Sequence, residues 1–90
     1  MIKYVIERDI PGVGKFTATQ FAEASRQSCN VLQRLGPRVQ WVHSHVTNDR
    51  MYCLYLAANE EAVREHARLS GFPASRISEV LAVIDPTTGG

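Results

Sequence analysis

Thr17 and Gln20 stand at the head of a stretch in which Phe21, Ala24, Ser25, Ser28, Val31, Leu32 and Leu35 fall on one face at helical spacing. A threonine at the cap and a glutamine at the third helical position satisfy each other's free backbone amides, and Phe16 and Phe21 occupy the positions of a hydrophobic staple. Gly36 followed by Pro37 ends the helix in the favoured order. A helix so firmly bounded fixes what lies on either side. Before it, residues 2–9 are rich in β-branched and aromatic side chains and stop at Pro11-Gly12-Val13-Gly14, a strand followed by a turn.

After it, residues 39–47 and 51–57 read as two strands joined through Asn48 and Asp49, which tolerate the positive φ of a tight hairpin. Asn59 caps a second helix whose first turn sets Glu60 and Glu61 against the positive end of the dipole, and which ends near Gly71-Phe72-Pro73. A last β-rich run covers residues 77–84. The order βαββαβ predicts an α+β, ferredoxin-like sandwich: an antiparallel sheet with two helices on one face. Residues 1–85 make a single domain on this reading, and residues 86–90 a flexible, breaker-rich tail.

Strand alternation adds a second constraint. Val42 and Val46 alternate with Trp41, and Tyr52, Leu54 and Leu56 with Met51, Cys53 and Tyr55, so both faces of the sheet carry apolar side chains. A sheet with helices on one side alone should be polar on the other. The open face therefore calls for a cover, most simply the same face of a second copy, and the sequence predicts a homodimer. A domain of 90 residues has a thin margin of stability that such an interface would widen.

Ten basic against nine acidic side chains leave a net charge of +1, and the arginines are interleaved with acids. Nucleic acid is not an expected partner, because phosphate binding needs a dense basic face. The first residues lack the apolar core of a secretory signal and no run approaches a membrane span, so a cytoplasmic location and no membrane partner are expected. Cys29 and Cys53 fall in different elements without Cys-x-x-Cys spacing and read as two reduced thiols. Gly12-Val13-Gly14-Lys15 suggests a phosphate loop, but Asp9 stands where the first glycine belongs and Phe16 where a hydroxyl residue should follow the lysine. A Gly/Pro turn explains it in full.

The chemistry then rests on histidine. His43 and His45 are two apart, and on a regular strand both imidazoles leave the same face, which makes them the best metal-ligand candidates. His66 lies near the middle of the apolar arc of the second helix, with Ala62, Val63, Ala67 and Leu69, so it points at the sheet. It is either a hydrogen-bonded core residue or a third ligand. It can join the pair only if His43 and His45 face the helices, and parity leaves that open because one bulge swaps faces. Of the carboxylates Glu7 and Glu79, the second lies on the edge opposite the histidine strand and would meet it only across a face-to-face dimer. The candidate metal ligands are thus His43, His45, His66 and Glu79, a set that suits divalent nickel, copper, cobalt or zinc.

Tyr4-Val5-Ile6-Glu7-Arg8, Trp41-Val42-His43-Ser44, Tyr52-Cys53, Glu60-Glu61-Ala62-Val63-Arg64-Glu65-His66-Ala67 and Gly71-Phe72-Pro73-Ala74, in this order and spacing, resemble the small bacterial ferredoxin-like nickel-binding protein family, formerly a domain of unknown function. The resemblance covers nearly the whole chain. It implies a dimeric α+β fold that binds nickel ions, with sequestration or handling of the metal rather than catalysis as the role. His43 and His66 fall inside matching segments and His45 beside one. Two other readings stay open: a dimeric α+β barrel enzyme or small-molecule binder with a cavity near His66, Tyr52 or Tyr55, and Cys53, and a dimeric interaction module in which packing explains all three histidines.

Overall fold

A computed structural model describes residues 1–90 and runs β1 (Ile2–Asp9), α1 (Ala18–Leu35), β2 (Val39–Val46), β3 (Arg50–Ala57), α2 (Glu60–Ser70) and β4 (Arg76–Glu79). Short 3-10 turns lie at Val13–Lys15, Gly36–Arg38 and Pro86–Gly89. The strands form one antiparallel sheet in the order β2-β3-β1-β4, so β2 and β4 are its edges. Each helix joins two strands that have a third strand between them, and both helices pack on the same face.

The local signals act as their chemistry requires. Thr17 accepts from the Gln20 amide at 3.2 Å while Gln20 accepts from the Thr17 amide at 2.8 Å, and the Phe16 and Phe21 rings meet at 5.7 Å. The residues of α1 that leave water are those of the expected stripe, with Ser28 and Val31 buried and the other five half-buried. Asn59 Oδ1 accepts from the Ala62 amide at 2.9 Å. Gly71 ends α2 at φ 77°, a left-handed conformation in which any Cβ would be strained. The buried side of α2 is Ala62, Val63, His66, Ala67 and Ser70. Leu69, expected among them, is only half-buried, because the stripe passes through Ser70 instead.

The core joins Tyr4 and Ile6 of β1, Val39 of β2, Cys53, Tyr55 and Ala57 of β3, and Ala62 and Val63 of α2, with Leu32, Leu35, Trp41, Met51 and Ile77 packed around it. Alternation in β1 places Arg8 on the same inward face, 2% exposed.

Three features depart from the sequence expectation. Asn48 and Asp49 turn the β2–β3 hairpin without positive φ, because the turn is held from outside. The amides of Ile10 and Gly14 donate to the Asp49 and Asn48 carbonyls at 3.0 and 2.9 Å, and the Gly12 amide donates to Asp49 Oδ1 at 2.9 Å. The glycine loop thus spends its amides on the hairpin tip, not on a phosphate. The last strand stops at Glu79 rather than residue 84. It pairs Tyr4 with Glu79, and the Val80 amide still reaches the Lys3 carbonyl at 2.8 Å, but β1 begins at Ile2 and has nothing to offer Val83 or Ile84. Leu81, Val83 and Ile84 are left 86%, 72% and 77% exposed. Finally, β2 carries a bulge between Trp41 and His43, which regroups its side chains.

A Cβ added at Gly14 would lie 2.8 Å from both the Asn48 Cα and the Thr47 carbonyl oxygen, so the loop fits the hairpin only as glycine. Gly14→Ala is expected to lower unfolding stability by about 1–3 kcal/mol, as overpacking against backbone does, read from the urea midpoint.

Candidate functional site

The bulge decides where the histidines go. Opposed residues of an antiparallel pair share a face, and the register aligns Trp41 with Tyr55 and Tyr4 on the helix side. Val42 has no partner in the register, and past it His43 aligns with Leu54 and Val5, and His45 with Tyr52 and Glu7. These last two rows lie on the face that no helix covers. Val46, expected opposite Trp41, joins it on the helix side instead.

His43 and His45 are both exposed, their ring centroids 4.9 Å apart and their planes near perpendicular. Two imidazoles so placed can offer nitrogen donors to one ion from a single strand edge. The chain gathers no group of three or more His, Cys, Asp or Glu side chains around them. The carboxylate nearest in the same row is Glu7, about 10 Å away across two strand spacings and paired with Arg50 at 3.3 Å. Glu79 pairs with Tyr4, so it points to the helix side from the far edge of the sheet. His66 lies on that side too, wholly buried, with the sheet between it and the pair. Of the four candidate ligands, one chain brings together two.

The helix side holds a second polar group that sequence reasoning located only in part. A cavity of about 80 Å³ opens between the sheet and α1, walled by Phe16, Phe21, Trp41, Met51 and Phe72, with Arg8, Ser28, Cys53 and Tyr55 reaching it. Tyr55 and Cys53 belong to the cavity reading, whereas Tyr52 faces the other way. His66 meets the same group through Ser28, its Nε2 lying 3.0 Å from Ser28 Oγ, and its ring is 5.2 Å from that of Tyr55. Arg8 was missed. Its signal was the alternation Tyr4, Ile6, Arg8, which sets a charged side chain in line with two core residues. Both thiols are free, Cys29 exposed and Cys53 buried.

A family model described as nickel responsive protein SCO4226-like matches residues 4–80. The crystal structure of SCO4226 from Streptomyces coelicolor A3(2) superposes with a TM-score of 0.76 at 20% identity, over 91% of this chain and 99% of that one, so the two share a fold. No curated protein matches the chain. No helix is long and apolar enough to cross a membrane.

His66 is 0% exposed and its Nδ1 has no hydrogen-bond partner. Burial above all, and then the Arg8 charge, push its pKa from 6.5 down to about 4, against a smaller upward pull from Ser28. The folded chain therefore keeps this imidazole neutral where the unfolded chain protonates it. The resulting stability is complete above pH 6.5 and drains away as the pH falls toward 4, a loss of about 3 kcal/mol. The urea midpoint is expected to drop over that interval, and His66→Gln to flatten the drop. An equal drop in the variant would mean that other groups cause it.

Proposed function

The chain belongs to the SCO4226-like family, described as nickel responsive, and from that premise we propose that it binds nickel(II) through His43 and His45 on the open face of a ferredoxin-like homodimer, in metal sequestration or handling rather than catalysis. The observation that carries the reading is the histidine pair itself: two exposed rings, 4.9 Å apart, aimed off one uncovered sheet face. Imidazole nitrogen suits nickel, and the same donors admit copper, cobalt or zinc. Since one chain supplies two such groups, water or the same pair on a second copy fills the other positions, whereas Glu79 points to the helix side and away from that face.

A dimer is supported by what the single chain leaves uncovered. Val5, Leu54 and Leu56 lie half-buried on the open face with no helix over them, and Leu81, Val83 and Ile84 overhang β4 into solvent. Apolar area of this kind is stabilising only when a partner covers it. The charged residues of the same face, Lys3, Glu7 and Arg76, lie around the apolar ones as a rim. Two unpaired thiols, one of them exposed, fit a reducing cytoplasm.

Calorimetric titration of metal-stripped protein with nickel tests the proposal. Saturable binding is expected at neutral pH, weakening on acidification as protons compete for the imidazoles. In the variant combining His43→Ala with His45→Ala, the binding is expected to disappear while the sedimentation coefficient stays that of the dimer. Unchanged affinity in that variant would sink these ligands, and a monomeric wild-type chain would sink the dimer.

A further inference from the structure

Arg8 carries a charge that nothing in the chain neutralises. Its side chain is 2% exposed, and a guanidinium keeps its proton in any protein environment. The ion pairs of the chain engage Arg50, Arg64 and Arg68, never Arg8. Arg8 Nη1 donates to the Pro73 carbonyl at 2.8 Å and the Phe72 carbonyl at 3.5 Å, and Nη2 to the Tyr55 hydroxyl at 3.3 Å, all of them neutral oxygens. The Tyr55 and Phe72 rings lie 5.9 and 5.8 Å from Arg8 Cζ, an arrangement that eases the charge without cancelling it. Buried charges are otherwise held by a counter-charge.

The space beside Arg8 has the character of a ligand site. The cavity between sheet and α1 is walled by aromatic and aliphatic side chains, and no acidic residue lines it. Its polar atoms are those of Arg8, Tyr55, Cys53, Trp41 and three serines on α1 and β2. Tyr55 Oη accepts from Arg8 and so keeps its own O–H to donate, and burial raises its pKa against the opposing pull of Arg8, so the phenol holds that proton.

We propose that this cavity binds a small apolar carboxylic acid as its anion, the carboxylate received by Arg8 and Tyr55 and the hydrocarbon body lying among Phe16, Phe21, Trp41 and Met51. One guanidinium matches one negative charge, which favours a monocarboxylate over a phosphate dianion. The apolar walls match a hydrocarbon tail and reject a second charge. A volume near 80 Å³ is well below the roughly 150 Å³ of a cavity that holds benzene, so the hydrocarbon body must be short. This site lies across the sheet from His43 and His45 and does not depend on the metal reading.

Isovalerate is the probe, and its neutral isostere isovaleramide is the control. Titration of the full chain followed by heteronuclear NMR is expected to give saturable shifts for isovalerate at Phe21 and Cys53, with isovaleramide bound at least about tenfold more weakly. Arg8→Met is expected to abolish binding of the acid. Because that change also cuts the contact with Pro73, Ala24→Leu provides an independent variant that fills the cavity from α1 and leaves Arg8 in place, and it too is expected to lose binding. Absence of saturable shifts with isovalerate, equal affinity for the amide, or full binding in Ala24→Leu would each overturn the proposal.

Discussion

A single unpaired residue, Val42, controls what both faces of the sheet can do. Without it, Trp41, His43 and His45 would alternate onto one face and drive two imidazoles into the core, where each would need a hydrogen-bond partner. With it, Trp41 stays inside, the histidines turn to solvent, and Ser44 turns inward. The exchange is chemically apt on the inner side as well. The indole of Trp41 donates from Nε1 to Ser44 Oγ at 2.9 Å, so the half-buried N–H is satisfied by the residue that the bulge brings round. One insertion therefore exports a pair of donor nitrogens and completes a wall of the cavity, and both proposed sites depend on it.

The inner face is held together by polar contacts as much as by apolar ones. The core cluster is thin near α2, where Ala62, Val63 and Ala57 meet, and small side chains there leave room for His66 and Tyr55. His66 reaches Ser28 on α1, Tyr55 meets Arg8 on β1, and Arg8 reaches the carbonyls that follow α2. Gln27 of α1 also donates to the Ser70 carbonyl at the end of α2. These bonds link both helices and the sheet, so they fix the helix register that a few alanines and valines would leave loose. The same group sets the charge state of His66, since Arg8 is the second-largest influence on its proton affinity.

What could be read from the sequence was what neighbouring residues decide. The Thr17–Gln20 capping box, the Phe16–Phe21 staple and the inward stripe of α1 depend on spacings of a few residues, and each is present where expected. The length of β4 depends on where β1 begins, some eighty residues earlier in the chain, and local β propensity overran it by five residues, from Glu79 to residue 84. The face of the histidines depends on a bulge that leaves no mark in composition. His66 was legible as an inward residue, but its partner Ser28 and the nearby Arg8 become a group only when three elements meet. Arginine composition points to a solvated surface, and the burial of Arg8 follows from strand alternation alone.

The cavity and the histidine pair meet on β2, and β3 beside it carries residues of both, with Met51, Cys53 and Tyr55 on the cavity side and Tyr52 and Leu54 next to His45 and His43. Trp41 and Ser44 line the cavity, His43 and His45 stand on the opposite face, and the four alternate along a short length of β2. β2 is an edge, hydrogen-bonded only to β3, and its ladder is already interrupted at Val42. The interruption removes one rung of the ladder next to the two histidines. Trp41 stands at the bulge, so its side chain and the two imidazoles hang from one short, interrupted stretch of backbone. Coupling between an ion on one face and an anion in the other would run through β2 and β3 together, and its sign follows from which ring spacing the ion prefers.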